Sequence, residues 1–350
     1  MRNFEKHLIK QNSSLTDAVK KLESLKSNAI LFLVSDENEL IGSVTDGDIR
    51  RAILNGKSLT SKVDDSVQTK PVFIIKGKVN LDELINWRER HYKIIPIVND
   101  LNEVVDVLNF NEKRSIVPLD CVIMAGGKGE RLRPLTEQKP KPLLHVGNKP
   151  IIEHGIDHFS FFGIDNLFIT TNYLSDQLQA FATDKKSSDL DIQTVYEPKF
   201  MGTIGAVKLI DTFRNDAILI SNADLLTNVD LELFYLAFIR SEADCCILSV
   251  PYQVEVPFGV LQVENELLID ITEKPTYSYN TNGGMYIVKK EHLKMIPTNE
   301  PFSAVDFVEL LLKEKKKVTL YQHYGYWLDI GNHHDYLRAQ HDIPFINQIN

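Results

Sequence analysis

Glycines and cationic side chains are concentrated in one short stretch of the chain. A loop reading Gly-Gly-Lys-Gly-Glu-Arg occupies residues 126–131, and a segment reading Lys-Pro-Lys-Pro-Leu-Leu follows at residues 139–144. Glycines let backbone N–H groups approach phosphate oxygens, and lysine and arginine neutralise phosphate charge. These residue types in this order predict a binding site for a phosphorylated ligand.

Two common phosphate-binding loops do not fit this stretch. A dinucleotide-binding fingerprint needs a third glycine where the chain has Arg131, which argues against a nicotinamide oxidoreductase. A P-loop ends in Gly-Lys-Ser or Gly-Lys-Thr, and residues 126–131 lack that ending. The loop is therefore expected to belong to another class of phosphate-binding enzyme.

Apolar runs and helical patterns alternate from residue 120 onward, which predicts an α/β domain. Such alternation is typical of a mostly parallel sheet covered by helices on both faces. The expected strands are residues 121–125, 167–170, 217–221 and 245–250, and the expected helices are 151–162, 174–182 and 231–239. Ligands of these folds lie at the carboxyl ends of the strands, which is where the glycine loop begins.

The first third of the chain contains one pattern twice. The expected helices are residues 15–25, 49–54 and 81–87, the expected strands are 29–34, 40–44, 94–98 and 104–108, and a last helix is expected to start at 109–112. Asp48 is expected to cap the helix at 49–54 because its carboxylate can accept free backbone N–H groups. The duplication predicts two half-units about a pseudo-twofold axis, in a small α+β domain of residues 1–116 followed by a larger one of 117–350.

Composition limits the possible functions. The 350-residue chain has 43% hydrophobic residues and a formal net charge of -9, so it can bury a core and is unsuited to non-specific nucleic-acid binding. Its three cysteines lack the number and spacing of a disulfide framework or a zinc site. No apolar run is long enough to cross a bilayer, and the N-terminus lacks a signal-peptide core. We therefore expect a cytoplasmic protein with no nucleic-acid or membrane partner.

Residues 42–50, reading Gly-Ser-Val-Thr-Asp-Gly-Asp-Ile-Arg, resemble the hallmark of a cystathionine-β-synthase (CBS) motif. The resemblance implies that residues 1–116 form a CBS pair. It also implies that Thr45 and Asp48 contact the phosphate and ribose of an adenine or guanine nucleotide that regulates the second domain. The second copy has Asn109 and Glu112 at those places. A pair that only packs or dimerises is the alternative.

Residues 126–144 closely resemble the signature of the sugar nucleotidyltransferases, and the resemblance extends over residues 120–335. Further stretches match that family in order, at residues 202–206, 258–260, 273–275, 282–284 and 327–331. The resemblance implies a Rossmann-like, mostly parallel mixed sheet. It implies a reaction in which an NTP and a sugar 1-phosphate give an NDP-sugar and pyrophosphate.

Carried onto this sequence, the resemblance implies four catalytic residues. Arg131 would meet the β- and γ-phosphates and Lys141 the α-phosphate, while Asp224 and Asp329 would hold Mg²⁺. Magnesium prefers hard oxygen ligands and often uses one or two carboxylates with substrate phosphates. The remaining implied NTP contacts are Met124, Ala125, Gly126, Gly127, Gly129, Glu197, Gly202 and Thr203. The implied sugar-phosphate contacts are Gly259, Glu273, Lys274 and Asn282.

Glu197 is the residue that bears on the choice of base. Relatives that use UTP or dTTP tend to carry glutamine there, whereas a carboxylate only accepts hydrogen bonds and suits the two adjacent donors of guanine. The chain thus resembles the CBS-fused sugar-1-phosphate guanylyltransferases, of the glucosamine-1-phosphate type, of bacterial surface-glycan and nonulosonic-acid pathways. A Glu197 that faces solvent would leave CTP or UTP open. A catalytically inactive nucleotide-sensing subunit is a further alternative, and a homo-oligomer is expected.

Overall fold

Two structural units follow one another along the chain. The computed structural model describes residues 3–298 and 300–346. The first unit spans residues 1–117 and the second residues 118–350. Within the described ranges, no helix has the length and apolar character needed to cross a bilayer.

The first unit contains two small sheets of identical connectivity. Its strands are β1 (Leu8–Lys10), β2 (Ile30–Val34), β3 (Leu40–Thr45), β4 (Ile74–Ile75), β5 (Ile94–Val98) and β6 (Val104–Asn109). Its helices are α1 (Leu15–Leu25), α2 (Asp46–Leu54) and α3 (Leu81–Glu89). The sheets have the orders β1-β2-β3 and β4-β5-β6, and in each the first pair is parallel and the second antiparallel.

Reciprocal hydrogen bonds between the two hairpin turns reveal the duplication directly. The N–H of Leu40 donates to the carbonyl of Asn102 at 2.8 Å, and the N–H of Val104 donates to the carbonyl of Asn38 at 3.0 Å. Leu40 and Val104 occupy equivalent positions in the two copies, and so do Asn38 and Asn102. The half-units are therefore related by the expected pseudo-twofold axis.

Two local expectations in this unit are wrong. Helix α2 begins at Asp46, so its N-cap is Thr45, whose hydroxyl accepts from the N–H of Asp48; the Asp48 side chain bonds back to Thr45 and completes a capping box. No helix follows β6 at residues 109–112, where one turn forms and ends.

The second unit alternates strands and helices. Its strands are β7 (Asp120–Met124), β8 (His145–Val146), β9 (Lys149–Pro150), β10 (Asn166–Thr171), β11 (Asp191–Tyr196), β12 (Ala217–Asn222), β13 (Leu225–Thr227), β14 (Cys245–Glu255), β15 (Val260–Glu264), β16 (Leu267–Thr272), β17 (Thr276–Lys289), β18 (Val318–Gln322) and β19 (Trp327–Asp329). Its helices are α4 (Ile151–Phe161), α5 (Ser175–Lys185), α6 (Leu231–Arg240), α7 (Ala304–Lys313) and α8 (His333–Ile346).

A seven-stranded sheet forms the centre of this unit, in the order β11-β10-β7-β12-β17-β14-β18. All its neighbouring strands are parallel except β17, which is antiparallel to both β12 and β14. The predicted α/β class with a mostly parallel mixed sheet is thus confirmed. Because β7, β10 and β12 are parallel, their carboxyl ends lie at one edge of the sheet.

The core of the sheet contains the three cysteines. Cys121 lies on β7, and Cys245 and Cys246 open β14; all three are buried and reduced. Burial raises the pKa of the Cys121 thiol well above its usual value and that of Cys245 to about 12. They pack as small apolar residues in the core.

Strands β14 and β17 continue past the sheet as a paired ribbon, and β15 and β16 form a hairpin between them. We call residues 250–281 the arm. From Tyr252 to Asn280 its residues are exposed, apart from a few of intermediate exposure.

Candidate active site

The glycine loop and the Lys-Pro-Lys-Pro segment pack against each other beyond the end of β7. Gly129 has a φ of +62°, and a Cβ there would lie 2.9 Å from Cβ of Lys141 and 3.1 Å from Cγ2 of Thr136. The Thr136 hydroxyl donates to the carbonyl of Gly129 at 2.8 Å. A side chain at position 129 would therefore separate the loop from Lys141.

Lys141 reaches the carboxyl end of β12. Its ammonium group forms an ion pair with Asp224, two residues after the last residue of β12. Strands β13 and β19 pair with Leu225 opposite Asp329, and the N–H of Ile330 donates to the carbonyl of Asp224 at 3.1 Å. This short ladder places Asp329 next to Asp224 and Lys141.

The two carboxylates are incompletely satisfied. Oδ1 of Asp224 and Oδ1 of Asp329 are both buried, and neither has a hydrogen-bond partner among the described residues. Burial and the neighbouring Asp224 carboxylate raise the pKa of Asp329 to about 6, while Lys141 and Arg131 act in the opposite direction. Buried polar atoms without partners are costly, so this pair needs a further positive group.

A divalent cation fits this donor set. Two adjacent carboxylates with free oxygens supply the hard anionic ligands that Mg²⁺ takes, and substrate phosphates normally complete its coordination. A cation there would satisfy both orphan oxygens and reduce the repulsion between the carboxylates. The structure thus brings together the two aspartates that the sequence assigned to metal binding.

Arg131 lies near the carboxylate pair, and Gly127 lies in the glycine loop. The guanidinium of Arg131 lies next to Gly331, where a Cβ would sit 3.4 Å from its Nη1. At Gly127 a Cβ would meet no described atom within 4 Å, so the backbone there faces open space. An exposed cation beside an open loop is suited to bind phosphate oxygens.

Glu197 lies inside this site and not in solvent. It is 1% exposed, and a Cβ at Gly126 would lie 2.4 Å from its Oε1. Burial raises the pKa of Glu197, although the N–H of Met201 and the hydroxyl of Thr170 lower it by donating to the carboxylate. The alternative of a solvent-facing side chain is therefore wrong, and the carboxylate borders the glycine loop.

The other predicted nucleotide contacts divide into two groups. Met124 ends β7, and the N–H of Ala125 donates to the carbonyl of Thr170 at 3.2 Å, so both lie at the base of the loop. Gly202 and Thr203 instead pack on the segment before α7. A Cβ at Gly202 would lie 2.5 Å from the carbonyl oxygen of Phe302, and the Thr203 hydroxyl accepts from the N–H of Ala304 at 2.8 Å. Their nucleotide role stays a prediction.

The predicted sugar-phosphate residues lie in two places, one at the edge of the sheet and three on the arm. Asn282 lies where β17 enters the sheet, and its amide donates to the Tyr286 hydroxyl at 2.6 Å and accepts from the N–H of Gly284 at 3.0 Å. Glu273 and Lys274 are exposed on the arm. Gly259 is on the arm too, and a Cβ there would sit 3.0 Å from Oε2 of Glu273. In a single chain, no hydrogen bond or ion pair between described residues joins Glu273 or Lys274 to the carboxylate pair.

The first unit contains a cavity of about 840 Å³ next to its CBS-like hallmark. Thr45 and Asp48 line it, together with Gln68 and cationic side chains from separate segments. The cationic residues are Lys26, Lys70, Arg90 and Lys93. A cavity of this size and charge could hold a phosphorylated small molecule.

Asp48 is already fully engaged in this structure. Its Oδ2 accepts from the N–H and the hydroxyl of Thr45 at 2.8 and 2.6 Å, and its Oδ1 accepts from Arg51 at 2.5 Å and Gln68 at 3.3 Å. A carboxylate offers about four acceptor positions. A ribose hydroxyl would therefore have to displace a donor, and the long bond from Gln68 is the weakest.

Sequence reasoning missed some residues that belong to these sites. The cavity cations come from two segments, Lys70 from one and Arg90 with Lys93 from the turn between α3 and β5, and no motif marks them. Asn222, the last residue of β12, has its amide 2.7 Å from the position of a Cβ on Gly284. Its place at the carboxyl end of a predicted parallel strand was the available signal.

Comparisons with known proteins identify the family. The family model described as "Nucleotidyl transferase" matches residues 120–344, and the CBS domain model matches residues 7–55. The chain is 30% identical over 233 residues to a mannose-1-phosphate guanylyltransferase of Mycobacterium tuberculosis, covering 64% of each protein. It therefore spans less than two thirds of that relative's length.

Two further proteins match over nearly their whole length. A D-glycero-alpha-D-manno-heptose 1-phosphate guanylyltransferase of Aneurinibacillus thermoaerophilus is 29% identical over 230 residues, covering 64% of this chain and 98% of that protein. The crystal structure of a putative glucose-1-phosphate thymidylyltransferase from Bacillus anthracis has a TM-score of 0.51 and 25% identity, and the match covers 64% of this chain and 94% of that one. Since the first model covers more than half of the sequence, the chain belongs to the nucleotidyl transferase family, and its first unit carries a CBS domain.

Proposed function

We propose that this chain transfers a nucleotidyl group from an NTP, with GTP preferred, to a sugar 1-phosphate, giving an NDP-sugar and pyrophosphate. The observation that carries the proposal is the pair of carboxylates Asp224 and Asp329. Their unpartnered buried oxygens lie beside Lys141 and the glycine loop. This arrangement suits a reaction in which several phosphate charges and a divalent cation meet.

The reaction needs no nucleophile from the protein. A phosphate oxygen of the sugar 1-phosphate bonds to the α-phosphorus, the bond from that phosphorus to the bridging oxygen breaks, and pyrophosphate leaves with the electron pair. A phosphate monoester is largely ionised near neutral pH, with a second pKa of about 6, so it requires no strong base. The histidines of this unit are therefore not assigned to catalysis.

The side chains have positioning and charge-neutralising roles. Backbone N–H groups at Gly126 and Gly127 would hold the phosphates, Arg131 would neutralise the departing pyrophosphate, and Lys141 would stabilise charge on the α-phosphate. Asp224 and Asp329 would hold Mg²⁺, which, when bound, neutralises the phosphate charge that develops during transfer. The magnesium role rests on the two orphan oxygens.

The preference for GTP rests on Glu197. The carboxylate is buried at the loop, and Met201 and Thr170 take two of its roughly four acceptor positions. The other two positions would accept from the two adjacent donors of a guanine bound there. We expect Glu197→Gln to reduce the preference for GTP by about tenfold or more, because an amide turns a donor toward a donor. Pyrophosphate release should be measured for four NTPs against several hexose and heptose 1-phosphates. A wild-type preference for UTP, dTTP or CTP would contradict the assignment of the base.

We further propose that the first unit binds an adenine or guanine nucleotide and modulates the transferase. The supporting observation is the cavity that Thr45, Asp48 and several cations line. Regulation requires that the nucleotide bind two states of the protein with different affinity, and a coupling of about 1–3 kcal/mol changes substrate affinity roughly 5- to 150-fold.

Calorimetry on the full chain without transferase substrates tests whether the first unit binds a nucleotide or has a purely structural role. Because the transferase site also binds nucleotides, the titration should use Glu197→Gln protein and compare it with the Glu197→Gln, Asp48→Ala double variant. A binding phase lost only in the double variant supports the proposal. Identical titrations at millimolar nucleotide contradict it, and unchanged kinetics with bound nucleotide would remove the regulatory role.

A further inference from the structure

The chain segment that leads from β10 toward α5 contacts two separate parts of the candidate nucleotide site. Four consecutive residues, 170–173, make these contacts, and we call them the connector. Thr170 and Thr171, the last two residues of β10, are each 2% exposed. Asn172 and Tyr173 follow and are half-buried. The connector is therefore largely enclosed, and its polar groups bond to protein atoms.

Glu197, to which we assign the reading of the base, is held by three residues of the connector. The N–H of Glu197 donates to the carbonyl of Thr171 at 2.8 Å, and its carbonyl accepts from Nδ2 of Asn172 at 2.9 Å. The Thr170 hydroxyl donates to its carboxylate. Since both backbone polar groups of Glu197 and part of its carboxylate are bonded to the connector, the place of that carboxylate depends on the connector.

Tyr173, the last residue of the connector, holds the segment between the glycine loop and Lys141. Its hydroxyl donates to the carbonyls of Thr136 at 3.0 Å and Glu137 at 2.9 Å, which share its one proton. Thr136 is the residue that donates to the carbonyl of Gly129 and lies against it. The Tyr173 hydroxyl therefore restrains the backbone that fixes the glycine loop in place.

The start of α5 strengthens this second contact. Nε2 of Gln177 donates to the carbonyl of Gln138 at 2.9 Å, so the carbonyls of residues 136–138 all accept hydrogen bonds from Tyr173 or Gln177. Leu174, between the connector and α5, has a φ of +49°, in the left-handed region. A leucine is strained there, and such strain persists where surrounding contacts fix the backbone. These contacts therefore place the turn against the local preference of the chain.

We propose that the connector sets the separation between the base and the phosphates of the bound NTP, with Asn172 positioning Glu197 and Tyr173 positioning the glycine loop. This inference rests on the proposed function, because Glu197 is expected to read the base. A nucleotide has a fixed number of bonds between its base and its phosphates, so the two parts of the site must be held at a matching separation. A misplacement of about 1 Å can cost about 100-fold in rate. Asn172 and Tyr173 act through other protein groups and are positioning residues.

The two contacts act on different parts of the nucleotide, so their losses have different kinetic signatures. Tyr173→Phe removes one hydroxyl and keeps the ring. It should raise the KM for every NTP about three- to tenfold, the usual effect of one lost hydrogen bond, and leave the preference among bases unchanged. Asn172→Ala should reduce the ratio of kcat/KM for the preferred NTP to that for the other three by a similar factor. Neither variant should change the KM for the sugar 1-phosphate.

Pyrophosphate release by the full chain, with each of four NTPs and the most active sugar 1-phosphate, measures both quantities. Partial unfolding of a variant lowers kcat for all four NTPs equally and changes neither a KM nor a ratio between bases. Tyr324→Phe and Asn148→Ala are matched controls, because both side chains are exposed and neither is hydrogen-bonded to a described residue. Both controls are expected to have wild-type kinetics.

A double variant separates failure of this inference from failure of the proposed function. In a Glu197→Gln background, Asn172→Ala should cause no further loss of base preference, because the group that it positions no longer reads the base. If the wild type has no turnover, or if Glu197→Gln keeps the wild-type base preference, the proposed function is wrong. If Glu197→Gln changes that preference and Asn172→Ala does not, or if Tyr173→Phe keeps the wild-type KM for NTP, the connector does not position the nucleotide.

Discussion

Asp48 in the first unit and the Asp224–Asp329 pair in the second contain buried carboxylate oxygens in opposite states. Asp48 accepts four hydrogen bonds, which together lower its pKa although burial raises it. The pair has two unpartnered oxygens, and burial with mutual repulsion raises the pKa of Asp329. The first carboxylate is complete within the protein, whereas the second two need a ligand from outside.

This difference distinguishes a carboxylate that stabilises the fold from the pair to which we assign a catalytic role, and the motifs alone do not make that distinction. Both regions were assigned ligands from sequence patterns that contain aspartate. The hydrogen bonds show that Asp48 stabilises α2 before any nucleotide arrives, while Asp224 and Asp329 each keep one buried oxygen without a partner, which a divalent cation would satisfy. Replacing aspartate with asparagine should therefore have opposite effects on stability in the two regions.

The largest expected effect is on catalysis. Asp224→Asn and Asp329→Asn should each lower turnover by at least about 100-fold, since weaker cation binding removes several kcal/mol of charge stabilisation. Pyrophosphate release at saturating magnesium is the measurement. Asp189→Asn, at an exposed turn of the same unit, is the matched control. Near-normal turnover in either site variant would exclude that residue from the metal site.

A smaller effect is expected on the stability of the second unit. Magnesium at a hundredfold excess over its Kd should stabilise the wild type by about 2.7 kcal/mol, and it should stabilise Asp329→Asn much less. Without metal, Asp329→Asn should melt above the wild type, because one of two adjacent negative charges is gone. Thermal unfolding with EDTA and with MgCl₂ measures both differences. If the melting temperature of the wild type is the same with EDTA and with MgCl₂, the two carboxylates do not bind a cation, and the contrast with the internally bonded Asp48 is wrong.

The smallest effect is expected in the first unit. Asp48→Asn should lower the free energy of unfolding by about 1–3 kcal/mol, because hydrogen bonds from Thr45 and Arg51 to a charged acceptor are lost or weakened. Because the folded pKa of Asp48 is lowered, its contribution is complete above the ordinary carboxyl pKa of about 3.9 and disappears as the pH falls below it. The difference in the free energy of unfolding between the wild type and Asp48→Asn should therefore shrink as the pH falls below about 3.9.

Urea unfolding in a Trp327→Phe background isolates this measurement. The chain has two tryptophans, and Trp87 on α3 then reports on the first unit alone. Glu112→Gln, the equivalent change in the second copy, is the control. Glu112 is exposed and accepts from Asn109 at 2.8 Å, so a change within about 0.5 kcal/mol is expected. If Asp48→Asn and Glu112→Gln lower the free energy of unfolding equally, the hydrogen bonds of Asp48 do not have the stabilising role that we assign to them.

The sequence predicted β7, β10, β12 and β14 because their signals are local, whereas β11, β17 and β18 of the same sheet were not predicted. Apolar runs such as β7 and β12 alternate with helices of clear periodicity. The bond from Gln68 to Asp48, the burial of Glu197 and the packing of Gly202 on Phe302 depend on contacts between distant segments. Such contacts produce no periodic pattern in the sequence. The position of Lys274 likewise depends on where β14 and β17 extend past the sheet, which no local pattern indicates.

The burial of the three cysteines has a consequence for chemical reactivity. A thiolate is the reactive form, and Cys121, Cys245 and Cys246 combine raised pKa values with negligible access to solvent. The folded second unit should therefore resist alkylation, while its unfolded form reacts at three positions. The rate of labelling by an alkylating reagent then counts opening events of the central sheet, with no engineered probe.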